Sequence, residues 1–64
     1  MRFWTHAELA EARNCAQAVG GSLRAAYGLP RHHPDERYYV AGETRPDGTR
    51  GTWMRGTDGQ PALA

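Results

Sequence analysis

Apolar residues recur at helical spacing through the first third of the chain. Leu9, Ala12, Ala16, Val19, Leu23 and Ala26/Tyr27 follow one another at intervals of three or four, which sets them on one face of a helix. A start signal precedes them. Thr5-His6-Ala7-Glu8 has the form of a capping box, and Trp4 and Leu9 flank it as a hydrophobic staple. Gly20-Gly21 interrupts the stripe, and each glycine costs roughly 1 kcal/mol against alanine in a helix interior. The stripe nevertheless keeps its phase across the pair. The pattern therefore predicts one helix over 6–27, weak or bent at the glycines, and closed by Gly28, Leu29 and Pro30.

After a polar connector at 31–36 the pattern changes. Arg37 to Thr44 holds Tyr38-Tyr39-Val40, an aromatic and β-branched cluster of the kind that forms strands. Arg45-Pro46-Asp47-Gly48-Thr49 is a turn in which Pro presets φ and Gly48 supplies a positive φ. A second strand over 49–55 returns antiparallel. With a three-residue loop and a bulge at the glycine, Val40 pairs with Met54 and Ala41 with Trp53. Tyr39, Ala41, Gly51 and Trp53 then share one face; Tyr38, Val40, Thr52 and Met54 share the other. The alanine-rich helix stripe needs a large partner, so Trp53 over Ala12 and Ala16 is the expected core contact. A register slip of one residue would exchange the two faces.

Residues 1–4 are a candidate third strand, and 56–64, rich in Gly and small polar residues, read as a flexible tail. The expected fold is α+β: one long N-terminal helix packed on a C-terminal antiparallel β-hairpin in a single domain over 1–55. Pairing of residues 1–4 would make it a βαββ sheet.

Composition limits what such a fold can be. Of 64 residues, ten are Ala and only seven are Leu, Val or Phe, so the core must be thin and built on the six aromatic residues. A chain this short buries only about 60% of the surface it exposes when unfolded. One Cys excludes a disulfide framework and every multi-cysteine zinc module. No apolar run approaches a membrane span, and no apolar leader follows Met1, so a complete, small cytoplasmic protein is expected. All eight basic residues are Arg, which fits GC-rich coding DNA, and the net charge of +1 gives no global case for nucleic acid or membrane.

Candidate chemistry is sparse. Cys15 falls mid-helix without a base, and a small buried thiol is the simpler reading. His6, Cys15, His32 and His33 could ligate zinc, but adjacent His32 and His33 diverge in an extended segment. Glu8 with Glu11, or Asp35 with Glu36, could be an acid–base pair. A 64-residue chain has little room for a pocket, however, and no enzyme activity, cofactor or metal is expected. The hairpin interleaves Arg37, Arg45, Arg50 and Arg55 with Tyr38, Tyr39 and Trp53, in outline a single-strand stacking platform.

The leading functional expectation is a non-enzymatic protein-binding module, of the kind phages and mobile elements use to inhibit a host machine; anti-CRISPR proteins are one such anti-defence class. Its expected partner surface is Tyr38, Arg45, Arg50 and Met54, residue types enriched or adaptable at binding sites. A small nucleic-acid-binding or regulatory protein is the alternative. Ala18, Ser22 and Ala25 form a smooth back face on the expected helix, suited to a weak homodimer.

Overall fold

A computed structural model describes residues 1–44 and 46–64. They form a mixed α+β fold in which sheet predominates. Strand β1 (Trp4–Thr5) leads through a 3-10 turn (His6–Glu8) into helix α1 (Leu9–Val19); strands β2 (Ser22–Ala25), β3 (Arg37–Thr44), β4 (Arg50–Arg55) and β5 (Pro61–Leu63) follow. All pairings are antiparallel.

Helical structure begins where the capping box places it, at His6, but its first turn is the 3-10 turn and the α-helix proper starts at Leu9. The Glu8 carboxylate accepts the Thr5 N–H at 2.9 Å, and Thr5 is extended (φ −82°, ψ 169°). It ends eight residues earlier than the expected 27, at Val19. Gly20 sits at φ 65°, ψ 28°, and its N–H and that of Gly21 both turn back to the Ala16 carbonyl. That is a helix C-terminus built on left-handed glycine. Gly21 serves a second need, because any Cβ there would collide with the Ala41 carbonyl oxygen and lie 2.9 Å from Val40 Cγ1. The glycine pair is thus the junction at which the chain drops from α1 onto the sheet. Gly21→Ala should accordingly lose about 1–3 kcal/mol of stability through overpacking. A thermal midpoint equal to that of wild type would contradict this close crossing.

Ser22 to Ala25, expected as helix, forms β2. Ser22 pairs with Ala41, Leu23 with Val40, Arg24 with Tyr39 and Ala25 with Tyr38. Leu23 satisfies both periods, since it continues the helical stripe and also occupies every second position of an alternating strand. Pairing with the otherwise open edge of β3 decides between them.

The hairpin turn forms as expected, with Gly48 at φ 87°, and Thr44 pairs with Arg50 in the anticipated register. Between Ala41 and Thr44 the register then shifts by one residue. Val40 pairs with Trp53 and Ala41 with Thr52, rather than with Met54 and Trp53. The Trp53 indole occupies the space that a Gly42 side chain would take, its Nε1 lying 2.7 Å from the position of a Cβ there. A bulge at this point lets the indole cross the backbone. The shift corrects the faces: Trp53 still turns toward the helix, but Val40 and Tyr38 join it there, while Tyr39 and Ala41 lie on the opposite side.

The core is small: Trp4, Ala12, Cys15 and Val40 are buried, flanked by Ala16, Val19, Leu23, Tyr38 and Trp53. Trp4 is its largest fully buried side chain, and its Nε1–H donates to Glu11 at 3.1 Å. The N-terminal segment ties both hairpin strands together. Trp4 pairs with Tyr38 of β3, and Arg2 exchanges two backbone hydrogen bonds of 2.8 Å with Arg55 of β4. Residues 56–64, expected as a flexible tail, contain a turn and a short strand. A turn over 56–60 returns the chain, and β5 pairs Leu63 with Trp53, Ala62 with Met54 and Pro61 with Arg55. The ordered unit thereby extends beyond residue 55.

Candidate binding face

Helix α1 covers one side of the sheet and leaves the other open. Because side chains alternate along strands, register identifies the open side: Arg24 on β2, Arg37 and Tyr39 on β3, and Arg50 and Met54 on β4. Phe3, one residue before the inward Trp4, lies on this side as well. Its ring centroid is 6.1 Å from that of Tyr39 and 6.3 Å from that of Tyr27, the latter edge-on at 82°. Tyr27 is 60% exposed, so the aromatic cluster reaches solvent. Phe3, Tyr27 and Arg37, with Arg2 and Thr5, line a shallow depression of about 340 Å³.

The described charged side chains on this face are arginines. The ion pairs among the described residues gather elsewhere: Arg2 grips Glu8 with two bonds of 2.7 and 2.8 Å, and Arg55 Nε meets Glu11 at 2.8 Å and Glu8 at 3.4 Å. The Arg2 hydrogen bond, helped by the Thr5 N–H, holds the Glu8 carboxyl far below the usual carboxylate range. Arg24, Arg37 and Arg50 form no ion pair among the described residues. Arg37 donates to the Glu36 carbonyl at 3.0 Å and Arg50 to the Gly42 carbonyl at 3.3 Å, neutral acceptors in both cases. No described side chain at an outward strand position is acidic.

The sequence-predicted patch is only partly assembled. Arg50 and Met54 do share the open face. Tyr38 does not: it turns toward the helix and packs against the core, because the bulge exchanges it with Tyr39. Arg45 lies outside the described residues. Phe3, Tyr27 and Arg24 were missed; the alternation of Phe3 with Trp4 and of Ser22-Leu23-Arg24-Ala25 is the signal for Phe3 and Arg24, whereas Tyr27, beyond the end of β2, has none. The smooth dimer face on one helix is likewise absent, since Ala18 lies on α1 whereas Ser22 and Ala25 lie on opposite sides of β2.

The other candidates take structural positions. Cys15 is buried in the core and free, and burial pushes its thiol pKa up, away from nucleophile chemistry. No group of three or more His, Cys, Asp or Glu among the described residues could hold a metal ion. Glu8 and Glu11 are bound by arginines. Glu36, expected as a solvated connector residue, is buried and accepts the backbone N–H groups of Tyr27, Leu29 and Arg37 at 2.8, 2.6 and 2.9 Å. Among the described residues no helix is long and apolar enough to cross a membrane. Comparison of the chain with protein-family models, with curated proteins and with solved structures finds no match.

Proposed function

We propose that the protein is a non-enzymatic binding module whose open sheet face takes single-stranded nucleic acid. The observation that carries this reading is the Phe3–Tyr27–Tyr39 ring cluster flanked by Arg24 and Arg37, with no described acidic side chain at an outward strand position. Unpaired bases stack on exposed aromatic rings whatever their sequence, and guanidinium groups match phosphate oxygens. A flat antiparallel sheet offers such a surface without an enclosing pocket, which suits so small a chain. A net charge of only +1 does not oppose it, because four of the seven carboxylates are committed or remote: Glu8 and Glu11 to arginines, Glu36 to backbone, Asp58 to its own turn.

Binding of a labelled oligonucleotide of about 12 nucleotides, followed by anisotropy, tests this. With three arginines on phosphates, log K should fall against log salt with a slope of about −2, or roughly 20-fold between about 50 and 200 mM salt. Tyr39→Ala should weaken binding at least about 10-fold through the loss of one stacked base. Absence of oligonucleotide binding at the lower salt would overturn the proposal and return the face to a protein partner, the anti-defence inhibitor reading included.

A further inference from the structure

The opposite side of the molecule carries a second, concave feature that the open sheet face does not use. Between the start of α1, the inner sides of β2 and β3, and the loop over 28–32 lies a cleft of about 250 Å³. Leu9, Leu23 and Leu29 form its apolar wall; Arg13, Arg31, His32, Glu36 and Tyr38 supply its polar groups. We propose that this cleft binds a small organic carboxylate with an apolar body.

The charge of the cleft argues for an anion. Arg13 and Arg31 are exposed and form no ion pair among the described residues. Glu36 is the one carboxylate in the lining, and its two oxygens already accept three backbone N–H groups. The lining thus carries two arginines against one carboxylate, whose charge is dispersed into the backbone. A planar carboxylate matches a guanidinium through paired hydrogen bonds, and the three leucines with the Tyr38 ring give an apolar body somewhere to lie. The volume limits the guest to about ten heavy atoms, small by the standard of enclosed ligand sites.

The loop that closes the cleft is set in advance. Glu36 fixes it through the N–H groups of Tyr27 and Leu29, and the His33 N–H returns to the Pro30 carbonyl at 3.0 Å. His32, on the cleft wall, is held at φ 65°, a conformation uncommon for a side-chain-bearing residue and one that tends to occur where a backbone is shaped for a ligand. The His6 ring stands 6.5 Å from both His32 and Tyr38, and its Nε2 is buried with no hydrogen-bond partner among the described residues. His6 is not itself among the residues lining the cleft; its ring backs the His32 and Tyr38 side of the wall.

Titration of the 15N-labelled chain with phenylacetate tests the cleft, with phenylacetamide as its neutral isostere and inorganic phosphate as a bare anion. Phenylacetate should shift the amides of Leu23, Leu29 and His32 with a dissociation constant on the order of 1 mM. Phenylacetamide, phosphate, and phenylacetate with the Arg13→Ala/Arg31→Ala variant should each bind at least about 10-fold more weakly. Both arginines are exposed, so the variant should keep its dispersed spectrum. Tyr39→Ala, altered on the other face, should bind phenylacetate like wild type, which separates this site from the nucleic-acid face. Equal binding of phenylacetamide or of phosphate would overturn the proposal, as would unshifted cleft amides at about 10 mM phenylacetate.

Discussion

Trp4→Ala should leave the chain largely unfolded at room temperature. Trp4 is fully buried, is the largest of the four buried core residues, and joins three elements: β1, α1 through Glu11, and β3 through Tyr38. Truncating a buried tryptophan costs about 3–5 kcal/mol. A domain of this size holds only about 3–10 kcal/mol in total. Few large aliphatic residues stand ready to close the gap, because Ala12 and Cys15 are the helix residues beneath it. Trp4→Phe keeps most of the volume and loses the indole donor to Glu11, so it should fold with a reduced midpoint. Met54→Ala, outward on the open face, should change stability by about 0.5 kcal/mol at most. Denaturant titration of the three variants gives the order, and a cooperative, near-wild-type transition for Trp4→Ala would show that the core is centred elsewhere.

The second large effect is expected at Glu36. Burial alone would push its pKa up, but the N–H groups of Tyr27, Arg37, Leu29 and Gly28 together outweigh it and hold the carboxyl below its ordinary value. A carboxylate whose folded pKa is depressed stabilises the fold above its unfolded pKa of about 4.3, and that contribution is lost as pH falls from there toward the folded value. Glu8, depressed mainly by Arg2, adds to the same trend. Acid should therefore destabilise the protein progressively below about pH 4.5. Glu36→Gln keeps the shape but replaces one acceptor oxygen with a donor that faces N–H groups. It should lower the midpoint at pH 7 by on the order of 10 °C and leave a shallower loss of stability in acid. An acid limb as steep as that of wild type would mean that Glu36 is not the group being titrated.

These two residues also show what a single sequence reveals. Trp4 stood out beside the capping box, and the helix start followed from Thr5 and Glu8 because capping is local chemistry. Gly20-Gly21 was visible too, but its meaning depended on β3 lying close enough to forbid a Cβ at Gly21. Periodicity could not decide that, since Leu23 fits a helix and a strand equally. The hairpin turn was legible from Pro46, Asp47 and Gly48. Its faces were not, because the bulge near Gly42 answers to the bulk of the Trp53 indole, a contact between distant positions. Tyr38 and Tyr39 exchange roles for that reason alone, and the expected partner patch changes with them. Glu36 looked like any exposed acid in a polar connector, since nothing local marks a carboxylate that will gather N–H groups from residues seven and nine positions earlier.

The open face can be tested residue by residue. Titrating the 15N-labelled chain with a short single-stranded oligonucleotide and following its amide signals reports where contact occurs. Shifts should concentrate at Phe3, Arg24, Tyr27, Tyr39 and Met54, leave the α1 positions Arg13 and Gln17 still, and diminish with added salt. Shifts centred on α1, or none at all, would contradict a binding face on the open side of the sheet.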